Sequence, residues 1–217
     1  MNLVRDDLTN RFGVHVTVHA LDLSIEADVG KLTVAAGDCD ILINNAGSIP
    51  AGDITRLENT AIKSAWDLKV FGFLSLVREI YPRMCQRKSG VIVNVIGMAG
   101  ERPRASYIAG SMGNAALMQL TRALGAESYD HGVRVVGINP GPIETDRLVS
   151  QAKINADMEF GDDKRWRETH KALPGGRAGR PEEIGWLAAY LASDRASWIS
   201  GTVVMADGGQ HSRSARA

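Results

Sequence analysis

A run of β-branched residues, followed by a loop and a long helix, most constrains what this chain can fold into. Residues 91–96 are almost continuously apolar and are bounded by Gly90 and Gly97. Such a run is typical of a strand buried on both faces, as in parallel sheets. Glycine, proline and serine punctuate the loop that follows, and apolar positions in residues 107–127 recur at helical spacing. This segment predicts one strand, loop and helix unit of an α/β sheet.

One tyrosine, Tyr107, stands at the start of that helix. It is therefore predicted to lie just beyond the carboxyl end of a buried strand, where ligands bind in open α/β sheets. A phenol there can act as a general acid or base if its surroundings lower its pKa from about 10. The alternative is a tyrosine that only packs its ring and hydrogen-bonds to backbone, and these residues alone do not separate the two.

Strands and helices alternate through the rest of the chain. Strands are predicted at 14–20, 40–45, 91–96, 133–138 and 202–206, and helices at 2–12, after Ser24, at 60–84, at 107–127 and after Arg180. This alternation predicts a mostly parallel sheet with helices on both faces. We expect one domain over residues 1–209 and a disordered tail over 210–217.

Several local interpretations accompany this assignment. Ser24 can cap its helix, and Asp22 can serve either as turn chemistry or as a ligand contact. Residues 148–176 suit a mobile lid or an irregular helical excursion. The segment 186–191 is expected to supply the buried face of the last helix, and Lys69 lies among apolar residues, where a lysine usually extends to solvent.

Charge and cysteine content limit which partners, compartment and metal sites the sequence predicts. Twenty-five basic and 25 acidic residues cancel, so nothing suggests a nucleic acid or an anionic membrane as partner. No apolar run approaches the roughly eighteen residues of a membrane span. Cys39 and Cys85 show no metal-ligand spacing, which predicts reduced thiols, a cytoplasmic protein and no metal. The expected partner is a small molecule or another subunit.

Two predicted strands end in residues suited to a ligand. Asn44-Asn45-Ala46-Gly47 closes one, and Asn139-Pro140-Gly141 closes another. Small side chains at a strand end let a flat ligand lie against backbone, and an asparagine can donate to the ligand or hold the backbone. An Asx turn is the alternative for a single asparagine.

These segments occur in a characteristic order and spacing, which resembles the short-chain dehydrogenase/reductase family from about residue 2 to 209. The segments that carry the resemblance are Asp22, Asn44 to Gly47, the Tyr107 helix, Pro140-Gly141 with Thr145, Arg180 to Glu183, and Asp207-Gly208-Gly209. The resemblance implies a Rossmann-like three-layer sandwich. It also implies NAD or NADP as cofactor and hydride transfer between a ketone and a secondary alcohol.

The resemblance assigns a role to each matching residue. Tyr107 would be the acid-base residue and would also contact the cofactor. The other implied cofactor contacts are Asp22 and Leu23 at the adenine, Asn45, Ala46 and Gly47 in the cofactor groove, and Pro140, Gly141, Ile143 and Thr145 over the nicotinamide. The helices at 60–84 and 107–127 resemble the family's dimer-forming pair, in which the small Ala109, Gly113 and Ala116 would permit close approach. A homodimer or homotetramer is therefore expected.

Three positions depart from the family pattern. Gly97 stands where the family has a serine that polarises the carbonyl, Ser111 replaces a lysine four residues after the tyrosine, and Lys69 replaces an asparagine. An uncharged hydroxyl at 111 cannot depress the pKa of the phenol. We hypothesise that Lys69 does so from the other helix. Ser106, Ser111 or water would then supply the missing carbonyl donor.

The sequence also lacks the family's Thr-Gly-x-x-x-Gly-x-Gly turn, whose amides bind the pyrophosphate. The fold is therefore expected to lack the family's first two strands, which would leave the strand at 14–20 unpaired and cofactor affinity poor. Either the sequence is a shortened version of a longer product, or another route such as subunit exchange covers the open edge. Two alternatives to the oxidoreductase remain: a cofactor-impaired binding or assembly subunit, and a dehydratase or isomerase.

Overall fold

The computed structural model describes residues 2–213 and contains a parallel sheet with helices on both faces. The strands lie in sequence order: β1 (Ile41–Asn44), β2 (Gly90–Val95), β3 (Val133–Pro140) and β4 (Val203–Ala206). All neighbouring pairs are parallel. Because the strands run in one direction, their carboxyl ends meet at one edge of the sheet. The predicted α/β class is confirmed.

Helices connect the strands in the described part of the chain. They are α1 (Asn2–Phe12), α2 (Glu26–Ala36), α3 (Asn59–Trp66), α4 (Gly72–Arg87), α5 (Ile108–Glu127), α6 (Asp146–Phe160) and α7 (Pro181–Ala192). Between α3 and α4 the chain forms a π-helical turn, Asp67–Phe71. The predicted helix over 60–84 is therefore confirmed as a helical segment, with a wider π-helical turn at its centre that the sequence pattern did not indicate.

The core forms on both faces of β2 and β3. On one face, Val93, Val136 and Ile138 pack against α7. On the other, Ile92, Val133 and Val135 pack against α4. Each of these side chains is fully buried, and burying one contributes roughly 1.5–3 kcal/mol. The continuous apolar run in the sequence is thus explained by a strand with two covered faces.

The first predicted strand does not form. Residues 14–20 are irregular, and Val14 is exposed. An alternating sequence becomes a strand only when a neighbour completes its hydrogen bonds, and no strand of residues 2–213 pairs with this stretch. The next strand, β1, lies at the edge of the sheet, and Ile41 and Ile43 are each 47% exposed. The prediction that this strand is buried is therefore also wrong.

Other local predictions need correction. Ser24 does not cap α2, because Ile25 is the N-cap residue and the Ser24 hydroxyl donates instead to Asp22. On α7, Trp186 is 63% exposed and Tyr190 is also exposed, so residues 186–191 do not all face the core. The buried positions of α7 are Ala188, Leu191 and Ala192.

The last predictions concern the segments near the chain's carboxyl end. Residues 148–176 contain most of α6, followed by 3₁₀ turns at Asp163–His170 and Pro174–Gly176, which confirms the irregular helical excursion, while a lid role stays a prediction. The predicted disordered tail, 210–217, begins instead with a 3₁₀ turn at Gln210–Ser212. Residues 214–217 lie outside the described residues.

Candidate active site

Tyr107 is held at the carboxyl edge of the sheet by backbone contacts on both sides. It is the N-cap residue of α5, and its carbonyl accepts a hydrogen bond from the Ser111 amide at 2.9 Å. Gly52 pairs with Tyr107 as an isolated parallel bridge. A Cβ atom on Gly110 would collide with the phenol ring, so this position admits the ring only because it is a glycine. The ring packs beside the cluster formed by Ile49, Ala65 and Ala109.

The surroundings of Tyr107 favour the protonated phenol. Burial raises the pKa of Tyr107, and the positive charges of Arg147 and Arg104 only partly offset this effect. The Arg104 guanidinium lies 5.6 Å from the centre of the ring. Two arginines, rather than Lys69, are thus the cations that lower the pKa of this phenol. At neutral pH the hydroxyl is available as a proton donor.

Lys69 extends into the protein from the π-helical turn. Its ammonium donates to the carbonyl oxygen of Ile96 at 2.6 Å and to Oδ1 of Asn114 at 3.1 Å. Among residues 2–213, no carboxylate pairs with this charge. Burial, with Arg147 nearby, lowers the pKa of Lys69 to about 8. A lysine that merely extends to solvent would not make these contacts, so that alternative does not describe Lys69.

Two glycines make room for this cluster. A Cβ on Gly47 would lie 2.7 Å from Cγ of Lys69, and Gly47 has φ +152°. A Cβ on Gly97 would lie 2.9 Å from Nδ2 of Asn114, and Gly97 has φ +131°. Both conformations strongly favour glycine. The lysine stem and the asparagine amide therefore occupy space that any other residue at 47 or 97 would take.

Of the hydroxyls expected to replace the missing serine, that of Ser111 is not well placed for that role. Ser111 Oγ accepts a hydrogen bond from the Arg104 amide at 3.1 Å and donates to the Arg104 carbonyl at 3.4 Å. It therefore anchors the loop before Tyr107. Ser106 is exposed.

Sequence reasoning missed Asn114 and Arg147. Asn114 is only 3% exposed, and it lies seven residues after Tyr107, on the same side of α5. A polar residue at that spacing within an apolar helix face was an available signal. Arg147 belongs to the mixed-charge segment after β3, where nothing distinguishes it from surface arginines. It donates to the Ile49 carbonyl at 2.9 Å.

The residues predicted to line the cofactor groove follow β1. Asn45, Ala46 and Gly47 are exposed at its carboxyl end. Their neighbour Asn44 is buried and donates to Asn94 at 2.9 Å, which ties β1 to β2. Oδ1 of Asn44 has no hydrogen-bond partner among the described residues. A buried acceptor without a partner is costly, so this strand end fits a ligand or water that donates a hydrogen bond.

The loop after β3 is fixed by its neighbours. Gly141 donates to the Ala206 carbonyl at 3.0 Å, and Ile143 forms an isolated bridge with Gly179. The Thr145 hydroxyl accepts a hydrogen bond from the Leu148 amide at 3.4 Å and caps α6. Pro140 ends β3 itself. The four predicted nicotinamide contacts thus lie on one constrained loop at the ligand edge of the sheet.

Asp22 and Leu23 lie before α2. The Asp22 carboxylate accepts hydrogen bonds from the Ser24 amide and hydroxyl, which lower the pKa of Asp22. This is an Asx turn, the structural alternative for Asp22. The Leu23 carbonyl lies close to Gly72 at the start of α4. Both residues therefore lie beside the helix that follows the Lys69 turn.

The site offers features that fit the nicotinamide end of a dinucleotide. Small exposed residues follow β1, a rigid loop follows β3, and an unpartnered buried acceptor lies at Asn44. A cavity of about 710 Å³ touches this site only through Pro142 and Ile143, and neither Lys69 nor Tyr107 lines it.

Residues 2–213 contain neither a membrane-spanning helix nor a cluster of metal ligands. No helix there is long and apolar enough to cross a membrane. No group of three or more histidine, cysteine, aspartate or glutamate side chains is arranged to hold a metal ion.

Comparisons with known proteins identify the family. The family model described as Enoyl-(Acyl carrier protein) reductase matches residues 4–211. The uncharacterized oxidoreductase YmfI of Bacillus subtilis is 30% identical over 95% of this chain and 81% of its own length. The 3-oxoacyl-[acyl-carrier-protein] reductase FabG of Chlamydia muridarum is 30% identical over 94% of this chain and 79% of its own length.

The fold agrees with solved structures. L-Sorbose reductase from Gluconobacter frateurii, in complex with NADPH and L-sorbose, superposes with a TM-score of 0.91 at 27% identity, over 98% of this chain and 83% of that chain. The sequence match and the shared Rossmann-like fold together lead to one conclusion: this chain belongs to the short-chain dehydrogenase/reductase family of oxidoreductases.

Proposed function

We propose that this chain reduces a ketone to a secondary alcohol, with NADH or NADPH as hydride donor and Tyr107 as proton donor. The observation that carries the proposal is the convergence of Tyr107 and Lys69 around residues 47–49, at the carboxyl edge of the sheet. Tyr107 packs beside the Ile49 cluster, and the stem of Lys69 lies against Gly47. Ligands of open α/β sheets bind at this edge.

The protonation state of Tyr107 favours reduction. Because burial raises the pKa of Tyr107, the phenol holds its proton at neutral pH. NADH or NADPH, when bound, would supply a hydride to the carbonyl carbon. Tyr107 gives its proton to the carbonyl oxygen, which completes the alcohol and leaves a phenolate. A general acid of this kind typically contributes about 10²–10⁴-fold to the rate.

Arg147 and Arg104 would stabilise that phenolate, because their positive charges lower the pKa of Tyr107. Arg147 also acts on the charge of Lys69, so it lies within electrostatic reach of both residues. Lys69 would act by holding the Ile96 carbonyl and the Asn114 amide in place.

The cofactor contacts remain part of the proposal. Asn45, Ala46 and Gly47 would line the nicotinamide side of the groove, the loop from Pro140 to Thr145 would cover the nicotinamide, and Asp22 and Leu23 would contact the adenine. L-Sorbose reductase in complex with NADPH is similar in structure to this chain, and the NADPH-dependent reductase BacG of Bacillus subtilis is similar in sequence. Both similarities support a nicotinamide dinucleotide as the cofactor. The substrate is a small carbonyl compound.

We also propose that the chain forms a homodimer or homotetramer and acts in the cytoplasm. Phe71 and Met112, on the two helical segments expected to form a dimer, are both exposed. Of the small residues predicted to bring helices together, Gly113 instead admits Trp66 and Val70 of the same chain. Both cysteines are free thiols, which suits a reducing compartment. Light scattering of the purified chain would give the oligomeric state.

Cofactor titration tests the proposal. NADPH or NADH is added to the full chain while thermal unfolding and the fluorescence of Trp66, whose indole donates to the Ala109 carbonyl beside Tyr107, are followed. Ligand at about 100 times its Kd stabilises a folded protein by about 2.7 kcal/mol. Consumption of NADPH with simple ketones such as ethyl acetoacetate and cyclohexanone then tests catalysis. If the chain is neither stabilised by a dinucleotide nor able to consume NADPH with a ketone, the proposed reduction is contradicted.

A second function, a binding or assembly subunit, is favoured by the loss of two catalytic positions. Gly97 carries no hydroxyl, and Ser111 bonds to the Arg104 backbone instead of placing a cation near Tyr107. This function predicts no unfolding shift with either dinucleotide. The same titration therefore separates the two functions.

A further inference from the structure

We propose that the side-chain amide of Asn114 donates the hydrogen bond that polarises the substrate carbonyl. It would take over the role of the hydroxyl that is missing at Gly97. This inference rests on the proposed function and deepens it, because it names the group that binds the reacting oxygen.

The orientation of the Asn114 amide follows from its neighbour. The Lys69 ammonium has three donors and no acceptor, so the atom that it contacts at 3.1 Å must be the amide oxygen. The Nδ2 group must therefore point away from Lys69. Because the ammonium draws electron density from the amide oxygen, it also strengthens the N–H groups as donors.

The Nδ2 group of Asn114 points towards the space that a side chain at position 97 would occupy. A Cβ built on Gly97 would lie 2.9 Å from Nδ2, so the amide reaches the place that a side chain at 97 would fill. The Gly97 amide is itself fixed by a hydrogen bond to Oδ1 of Asn139 at 3.2 Å. Gly97 and Asn114 therefore fit as a pair, since a side chain at one would displace the other.

The Nδ2 group is also available for a ligand. The side-chain amide of Asn44 donates to Asn94 on the next strand, that of Asn94 donates to Thr121 on α5, and that of Asn139 contacts two methionine sulfurs. Within residues 2–213, the side chain of Asn114 makes one hydrogen bond, which its Oδ1 accepts from Lys69, so Nδ2 makes none. Because Ser111 bonds to the Arg104 backbone, the Asn114 amide is the better candidate for the carbonyl donor.

Three variants of the full chain test this role. Asn114→Asp keeps an acceptor for Lys69 and removes the N–H donor. Asn114→Ser restores a donor as a hydroxyl. Gln119→Glu is the control, because it makes the same amide-to-carboxylate change at an exposed position of the same helix. Each variant is measured for NADPH binding by thermal unfolding, and for kcat and KM with ethyl acetoacetate or cyclohexanone, whichever the wild type reduces faster.

The expected results separate a loss in the chemical step, measured as kcat, from a loss in binding, measured as KM and NADPH affinity. Removing one preorganised donor costs on the order of 10²–10³-fold in kcat, so Asn114→Asp should lose about that much while KM and NADPH affinity change less than about threefold. Asn114→Ser should recover part of kcat. Gln119→Glu should stay within about threefold of the wild type.

Two outcomes would overturn the role of Asn114 alone. One is Asn114→Asp with kcat within about threefold of the wild type, and the other is a loss of on the order of 100-fold in Gln119→Glu as well, which would make the loss a general effect of a carboxylate on this helix. A wild type that binds neither dinucleotide, or that binds NADPH but reduces no ketone, would instead overturn the proposed function and this inference with it.

Discussion

The centre and the edge of the sheet show similar apolar patterning but different outcomes. β2 and β3 are covered on both faces, and Ile92 and Val136 are fully buried. At the edge, Ile41 and Ile43 are half exposed, and α1 buries none of its residues. The difference shows that local patterning suffices to predict a helix, whereas burial and strand pairing require a neighbouring surface.

The largest expected difference in stability compares two phenylalanines. Phe73 on α4 is fully buried, whereas Phe12 on α1 is 59% exposed. Phe73→Ala should lower the free energy of unfolding by about 3–5 kcal/mol because it leaves a cavity. Phe12→Ala should change it by less than about 0.5 kcal/mol. Urea denaturation measures both, and equal losses would contradict the contrast between centre and edge.

A comparable contrast concerns two lysines on the same helical segment. Lys69 lies in the site, and Lys63 is exposed on α3. Lys69→Met should reduce kcat by on the order of 100-fold, because the Asn114 amide loses the ammonium that orients it. Lys63→Met makes the same chemical change at the surface and should leave kcat within about threefold. Full activity in Lys69→Met would show that Lys69 has no part in the reaction.

The pH dependence of stability should report the burial of Lys69. Its pKa in the folded chain is about 8, against 10.5 ordinarily, so between these values the unfolded chain binds more protons. The free energy of unfolding should therefore rise with pH in this window, by on the order of 2 kcal/mol from this group.

Lys69→Met should remove that rise. The difference between wild type and variant is measured by urea denaturation at about pH 7.5 and about pH 9.5, below the range in which Tyr107 titrates. Other ionisable groups contribute equally to both proteins. If the difference in free energy of unfolding between wild type and Lys69→Met is the same at both pH values, the ammonium of Lys69 is exposed to water and not buried.

The smallest expected effect concerns the edge strand. Ile43→Thr keeps a β-branched residue at a half-exposed position of β1 and should change the free energy of unfolding by less than about 1 kcal/mol. Val93→Thr, at the buried centre of β2, should cost more because its hydroxyl has no partner there. If Ile43→Thr lowers the free energy of unfolding more than Val93→Thr does, the assignment of β2 to the centre and β1 to the edge is contradicted.

The sequence predicted the parts of the molecule that depend on local pattern. The buried run of β2 and the position of Tyr107 at the start of α5 both follow from periodicity and turn residues. The interior position of Asn114 depends on contacts across the chain. The sequence placed Lys69 on an apolar helix face, but its direction depends on a π-helical turn and on the Ile96 carbonyl, which no local pattern specifies.

The measurement that most directly tests the account is NADPH consumption by Tyr107→Phe. The variant keeps the ring, which packs beside Ile49, and removes only the proton donor. We expect kcat to fall by at least about 100-fold with NADPH binding unchanged. A Tyr107→Phe enzyme that reduces the same ketone at the wild-type rate would contradict the central claim that Tyr107 protonates the carbonyl oxygen.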